Sequence, residues 1–304
     1  MADDTWIWID GGVLPAAEAR VPVLDRGFLY GDSVFEVTRT VAGKQPLLLT
    51  PHLERLEQSA AALGYATPAL EAIASAVAAT MAPVPADECY VRIIVTRGAG
   101  PIDLDPASAD APRLVVIAKP LHLPDAQKYR EGVAMVTVDE RRNAPGHVPA
   151  AVKSSNYLSS VMALRSARRR DAHEALMCDL DGNISEGASS NFFLVRDGRI
   201  LTPPLALGIL AGVTRSVVFT LARELGARVE EVAFQKSAAL AADEAFLTSS
   251  IRGLLPVTRL DGQAIGSGEP GPVTRRLMEG YRTGYLERSS SASPTRNSSS
   301  ISPR

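Results

Sequence analysis

Lysine is scarce in this chain: five residues (Lys44, Lys119, Lys128, Lys153, Lys236) stand against twenty-seven arginines. The ordinary surface cation is therefore arginine, and a lysine in apolar company needs a reason. The two cysteines, Cys89 and Cys178, lie far apart in apolar, strand-like runs. That usage argues against a disulfide-built scaffold and fits buried thiols in a reducing compartment. No apolar run approaches the roughly 20 residues of a membrane span, and Met-Ala-Asp-Asp is no signal peptide, so a cytoplasmic protein without membrane contact is expected. A net charge of −2 offers no cationic surplus for phosphate backbones, so nucleic acid is not an expected partner.

What is there is ample core material. With 304 residues and 46% hydrophobic content, the chain is long for one domain and comfortable for two. Trp6-Ile7-Trp8-Ile9 reads as a strand, Asp10-Gly11-Gly12 as a turn, and Val21-Pro22-Val23-Leu24 as the next extended piece. A loop over 25–32 precedes a strand over 33–40. Thr50-Pro51 and Thr67-Pro68 each read as an N-cap with proline at the first helical position, opening helices that run to Gly64 and about Met81. Strands follow from Cys89 to Val95 and from Arg113 to Ala118. The prolines of Lys119-Pro120-Leu121-His122-Leu123-Pro124 suit an interdomain linker. The second half is sheet-rich, with a helix ending in Arg168-Arg169-Arg170, turns at Asp181-Gly182-Asn183 and Asp197-Gly198, and further helices after Gly212 and Gly271. The expected division is a small N-terminal α/β domain over 1–118, a linker over 119–130, a larger C-terminal domain over 131–287 and a disordered tail over 288–304.

Lys153 follows Ala150-Ala151-Val152 and precedes the helically spaced apolar run Tyr157-Leu158-Val161-Met162-Leu164. Burial there disfavours an ammonium ion and yields the free amine that a Schiff base requires, while a lysine snorkelling from a helix start fits the same residues. Glu186, in Ser185-Glu186-Gly187, is a candidate acid for holding a pyridine nitrogen protonated, or a solvated turn carboxylate. Gly212-Val213-Thr214 is a candidate anion seat at a helix start, or a plain N-terminus. Ser249-Ser250 and Arg55 could complete a phosphate cup. No metal ligand set is expected.

The wording and order of six motifs are more specific than any one of them. Leu29-Tyr30-Gly31-Asp32-Ser33-Val34-Phe35-Glu36, His52-Leu53-Glu54-Arg55-Leu56, Lys153-Ser154-Ser155-Asn156-Tyr157-Leu158, Ser185-Glu186-Gly187, Gly212-Val213-Thr214-Arg215 and Gly271-Pro272-Val273-Thr274 together resemble the class IV (fold type IV) pyridoxal phosphate aminotransferases. That family holds branched-chain aminotransferases, D-amino acid transaminases and aminodeoxychorismate lyases. The resemblance, running from about Trp6 to Tyr285, implies an α/β (α+β) fold whose larger domain has a barrel-like sheet. It implies pyridoxal 5′-phosphate as cofactor, and a homodimer with its active sites near the subunit interface. By position, Lys153 would bind the cofactor covalently and carry the proton, Glu186 would pair with the ring nitrogen, and Tyr157 would bond the ring hydroxyl. Arg55, Val213, Thr214 and Ser250 would hold the phosphate.

Tyr90-Val91-Arg92 resembles the strand that branched-chain aminotransferases aim at the substrate carboxylate, and Tyr30 and Phe35 match aromatic pocket positions. These favour an L-branched-chain amino acid with 2-oxoglutarate as acceptor. Ile102 and Leu104 stand where D-amino acid transaminases of the best-known type place an Arg and a His. Two departures keep a D-amino acid or broad-range transaminase open: Val37 replaces a usual glycine, and Ile251-Arg252 sits in the later turn, where Arg252 is a candidate second carboxylate anchor. The lyase, releasing pyruvate from aminodeoxychorismate, and a cofactor-binding relative without turnover are the readings of other classes.

Overall fold

The structure is a computed structural model that describes residues 4–140 and 152–287. The expected tail and Ala150-Ala151 lie outside the described residues.

Asp10 (φ 50°) and Gly11 (φ 87°) form a two-residue left-handed turn joining β1 (Trp6–Ile9) to β2 (Gly12–Pro15). So tight a turn makes Gly12 the direct partner of Ile9. The hairpin therefore closes before Val21-Pro22-Val23-Leu24, which is an exposed turn and not the expected strand. Residues 25–32, expected as loop, contain α1 (Arg26–Tyr30), capped by the Asp25 carboxylate on Gly27 N–H and ended by Gly31 at φ 68°. A Cβ at Gly31 would lie 2.3 Å from Asn156 Oδ1, so this glycine lets the first and third sequence motifs touch.

β3 (Ser33–Val41) and the short β4 (Gln45–Pro46) lead to α2 (Leu49–Ala62). This helix starts one residue before Thr50, behind Leu48 at φ 52° and without a side-chain cap, and Pro51 falls in the first turn where its missing N–H costs nothing. α3 (Leu70–Met81) likewise begins just after Thr67-Pro68. β5 (Cys89–Thr96) and β6 (Arg113–Pro120) complete a six-stranded antiparallel sheet in the order β2-β1-β6-β5-β3-β4. β6 runs through Pro120, two residues into the stretch expected as linker. Leu53, Leu56, Ile73 and Val77 of the two helices bury against Val34, Val91, Ile93 and Val116 on one face of the sheet.

After α4 (Ala126–Glu131) come β7 (Val133–Thr137), α5 (Leu158–Arg168), β8 (Glu174–Cys178), β9 (Ile184–Gly187), β10 (Asn191–Arg196) and β11 (Arg199–Thr202). α6 (Val213–Glu224), β12 (Val229–Glu231), α7 (Lys236–Leu240), β13 (Glu244–Ser249), β14 (Gly253–Leu260), β15 (Gln263–Ala264) and α8 (Pro272–Tyr281) follow. The strands form one mixed sheet in the order β12-β11-β10-β13-β14-β7-β8-β9, with β15 on β14. It curls until β9 meets β10 through the Gly187–Ser190 bridge, which gives the barrel-like form. Met135, Leu176, Ile184, Phe192, Leu247 and Leu255 fill the inside. α6 and α8 pack outside on Phe193 and Phe246, whose rings stack at 4.8 Å. Cys89 and Cys178 are both buried, on strands of different sheets.

Candidate active site

A cavity of about 530 Å³ opens between the two sheets. The alternation of β3 and β5 decides what the first sheet contributes. Val37 pairs directly with Arg92, and Phe35, Val37, Tyr90 and Arg92 share the cavity face. Glu36, between them, faces α2. Val37 therefore does form part of the pocket wall.

Lys153 is not on a helix. The segment before α5 lies along the start of β3, with Phe35 N–H donating to Lys153 C=O at 2.9 Å and Ser155 N–H to Ser33 C=O at 2.9 Å. This edge pairing, and not helical periodicity, aims the side chain into the cavity. The apolar run that suggested a buried helix face is largely outward, with Leu158 74% and Val161 58% exposed. Lys153 Nζ lies 3.1 Å from Tyr157 Oη and 4.6 Å from the centre of the Phe35 ring, which meets Tyr157 edge-on. Burial pushes the amine pKa down and the Arg55 charge adds to it, against opposing pulls from Tyr157 and Glu36. The result is an amine disposed to be a free base.

Glu186 is buried on β9, its Oε2 accepting from Asn191 Nδ2 at 3.1 Å and from Leu210 N–H at 3.0 Å. It is no solvated turn carboxylate. Asn191 also donates to Leu210 C=O at 2.8 Å and so locks the loop before α6 to the acid. A Cβ on Gly212 would fall 2.0 Å from Asn191 Oδ1, which is the steric reason for glycine there. Val213 and Thr214, in the first turn of α6, line the cavity with unpaired helix-start N–H groups at hand.

Arg55 grips the buried Glu36 with two prongs, Nε to Oε1 and Nη2 to Oε2, both 2.7 Å, and Nη1 reaches Ala211 C=O at 2.6 Å. His52, one turn earlier on α2, places Nδ1 2.6 Å from Glu36 Oε2 and Nε2 3.2 Å from Ser250 Oγ. Burial alone would raise the Glu36 carboxyl, but Arg55 and His52 outweigh it and hold it down at about 2. Burial pushes His52 down, Glu36 pulls the other way, and Arg55 and Lys153 add to the lowering.

Arg252 lines the cavity but is fully engaged: Nη1 with Glu174 Oε2 at 2.9 Å, Nε with Ser249 Oγ at 3.0 Å and Nη2 with Ser189 Oγ at 3.0 Å. It straps the 249–253 turn to the 187–190 turn. Ile251 lies beside it in the wall. Tyr30 does not line this cavity; it sits on α1 under the Arg26 guanidinium, 5.0 Å from ring centre. Sequence reasoning missed Glu36 and His52 as a pair, Asn191, and Glu174 as the Arg252 partner. A carboxylate inside the otherwise apolar Val34-Phe35-Glu36-Val37 run was the signal available for the first.

The family model of amino-transferase class IV matches residues 33–260 of this chain. The chain belongs to the class IV aminotransferases. This class IV enzyme is 31% identical to the branched-chain-amino-acid aminotransferase of Escherichia coli K12 over 91% of each chain. It is also 32% identical to the D-alanine aminotransferase of Bacillus licheniformis, over 92% of this chain and 97% of that one. The solved T.th. branched-chain amino acid aminotransferase complexed with N-(5′-phosphopyridoxyl)-L-glutamate superposes with a TM-score of 0.86 at 31% identity, covering 93% of this chain and 94% of that one. The fold is that of fold type IV enzymes, and the activity is pyridoxal phosphate-dependent transamination.

The cavity of this class IV aminotransferase fits that cofactor. Thr248 Oγ1 is buried in its wall without a hydrogen-bond partner among the described residues, so a bound polar group can satisfy it. A depressed amine, a fixed carboxylate and a helix start beside an arginine answer to the three polar parts of a phosphorylated pyridine aldehyde. No helix among the described residues is long and apolar enough to cross a membrane.

Proposed function

We propose that this aminotransferase exchanges the amine of an L-branched-chain amino acid with 2-oxoglutarate, with Lys153 as the catalytic residue. The observation that carries the substrate is Arg92. It reaches the cavity from β5, forms no ion pair among the described residues, and is backed by the Phe35 ring at 3.9 Å. Its charge, with Tyr90 beside it, is available for an α-carboxylate, while Phe35, Val37 and Ile251 offer the side chain an apolar wall. Arg252 is committed to Glu174, which removes support from the D-type carboxylate anchor. The phosphopyridoxyl-glutamate ligand of the T.th. relative supports glutamate and 2-oxoglutarate as the second pair.

The bound cofactor supplies a carbonyl and an electron-accepting ring. In this reading Lys153, kept unprotonated by burial, would hold that carbonyl at rest and move the proton at the substrate Cα once displaced. Tyr157 orients the lysine nitrogen and the ring hydroxyl. Glu186, fixed by Asn191 and Leu210 N–H, keeps the ring nitrogen protonated. Arg55, Val213 N–H, Thr214 and Ser250 seat the phosphate. Phe28, Val23, Ile102, Leu104, Leu158 and Val161, each more than half exposed, support a homodimer that covers them, in a cytoplasmic enzyme.

The test is the half-reaction. The loaded enzyme's visible band should bleach with L-leucine and persist with D-alanine; bleaching by D-alanine alone would overturn the substrate reading in favour of the D-enzymes. K153A should fold and bind cofactor without turnover, and undiminished turnover would remove Lys153 from the mechanism.

A further inference from the structure

Glu36 and His52 are not among the residues that line the cavity, yet both are almost completely buried, at 0% and 2% exposure. The protons between them can be placed from geometry. His52 Nδ1 is 2.6 Å from Oε2 of the Glu36 carboxylate, which Arg55 keeps anionic through one contact to each oxygen, so the proton there sits on Nδ1 and donates to the carboxylate. If His52 is neutral, Nε2 is then bare. Ser250 Oγ, 3.2 Å away, must spend its hydroxyl proton on that nitrogen. A phosphate on the cavity side of Ser250 would meet only oxygen lone pairs, because one hydroxyl proton cannot serve two acceptors.

We propose that Glu36, His52 and Ser250 form a proton-linked clamp: filling the phosphate end of the cavity draws one proton from water onto His52. Its Nε2–H then donates to Ser250 Oγ, and the Ser250 hydroxyl proton turns to the phosphate. The proton balance closes on the solvent: an O–H bond of water gives up the proton, an N–H bond forms on His52 Nε2, and no bond between heavy atoms changes. The groups facing His52 are Glu36 from β3, Arg55 from its own helix, Lys153 from the segment along β3, and the Ser250 hydroxyl. Arg55 and Lys153 disfavour the imidazolium when the cavity holds no anion, and burial acts the same way. A phosphate dianion reverses the local balance, since it adds negative charge beside the Arg55–Glu36 pair and offers Ser250 a stronger acceptor than Nε2. His52 is thus a positioning residue for Ser250, and the clamp rests on the seat for the phosphate proposed above.

The test is nitrogen NMR of the four histidines, recorded on the full chain stripped of cofactor, on the same protein with inorganic phosphate, and on the cofactor-loaded enzyme at about pH 7.5, where a phosphate monoester is mostly dianionic. His122, His147 and His173 are assigned by their own substitutions, so His52 is identified even if H52Q does not fold. The stripped protein should show one protonated and one bare His52 nitrogen. Both should be protonated with phosphate or cofactor bound, the apparent His52 pKa rising by roughly two pH units or more, so that it lies above the pH of the measurement. In S250A the difference should vanish while the visible band still reports bound cofactor. His52 neutral in all three samples, charged in all three, or switching undiminished in S250A would each overturn the clamp. The seat is tested separately: T214A should weaken inorganic phosphate binding in the same titration, and if it does while His52 stays neutral, the seat stands and the clamp alone fails.

Discussion

The Arg92 guanidinium lies 3.9 Å from the centre of the Phe35 ring, on neighbouring strands of the first sheet. The ring holds the cation in place without neutralising it, since an aromatic face attracts a cation but supplies no counter-charge. In Arg92→Gln a charge-assisted contact of about 1.5–3 kcal/mol to the amino acid carboxylate should be lost, lowering kcat/KM roughly ten- to a hundredfold. The loss should fall mainly on KM for both amino and oxo acid, with cofactor affinity unchanged. Steady-state kinetics with leucine decide it, and an unchanged KM would place the carboxylate elsewhere.

Arg252 predicts the opposite pattern. Its partner Glu174 is 1% exposed and Arg252 itself 14%, so removing the arginine strands a buried carboxylate. Arg252→Ala should cost about 3–5 kcal/mol of stability, seen as a lowered Tm, and leave the preference between L and D substrates where it was. A switch of enantiomer preference at unchanged Tm would restore Arg252 as a substrate anchor.

These two arginines show what the sequence could reveal of the site. Both stood out as candidate anchors by position, and nothing local distinguished them. The difference is made by Glu174, a long-range neighbour on β8 that has no motif of its own. Lys153 was legible because a rare residue sat in apolar company, but the reason it points inward was misread: pairing with β3 aims it, while Leu158 and Val161 of the following helix face outward. Strands read well wherever β-branched runs were long, as at Cys89–Thr96. The first hairpin was misplaced because its register is set by the backbone conformation of Asp10 and Gly11, which also suited a longer loop.

Acid should act on the fold through Glu36. Its carboxyl is held at about 2 against an ordinary value of 4.5, so the folded state binds its proton less readily than the unfolded chain. A depressed carboxyl stabilises the fold above the unfolded value, and that contribution drains away as pH falls from about 4.5 to 2; it is on the order of 3 kcal/mol at neutral pH. Glu36→Gln should therefore be clearly less stable than the parent at pH 7, with the gap narrowing over that window. Denaturant unfolding at several pH values measures it. A gap independent of pH would mean that Glu36 contributes by packing and not by charge.

His173 gives a second titration with its own sign. Burial, then Arg252, Lys128 and Arg168, push its pKa down to about 4 from 6.5. A histidine kept neutral by the fold opposes protonation, so its share of stability is present above about 6.5 and declines as pH falls toward 4. His173 also lines the cavity, and an anion lodged near it would raise its pKa. Its NMR titration midpoint should lie well below the ordinary value in the resting enzyme, and His173→Gln should flatten stability between those two pH values.

Gly212 tests whether Glu186 acts through its support. A methyl group there would sit 2.0 Å from Asn191 Oδ1, and the backbone just before it is tied to the Asn191 and Arg55 contacts at Leu210 and Ala211. Asn191 has to rotate away, which takes one hydrogen bond from the Glu186 carboxylate and loosens the loop that brings the Leu210 N–H to the same oxygen. In Gly212→Ala the buried acid would be less firmly aimed, so cofactor affinity should fall roughly ten- to a hundredfold, the worth of one charged hydrogen bond. Asn191→Ala removes the same bond without a clash and should reproduce the loss. Cofactor titration by absorbance, read beside Tm, separates this from unfolding: matched losses in both variants would tie Glu186 to the ring through Asn191, whereas a loss in Gly212→Ala alone would trace the effect to the first turn of α6 and its hold on the phosphate.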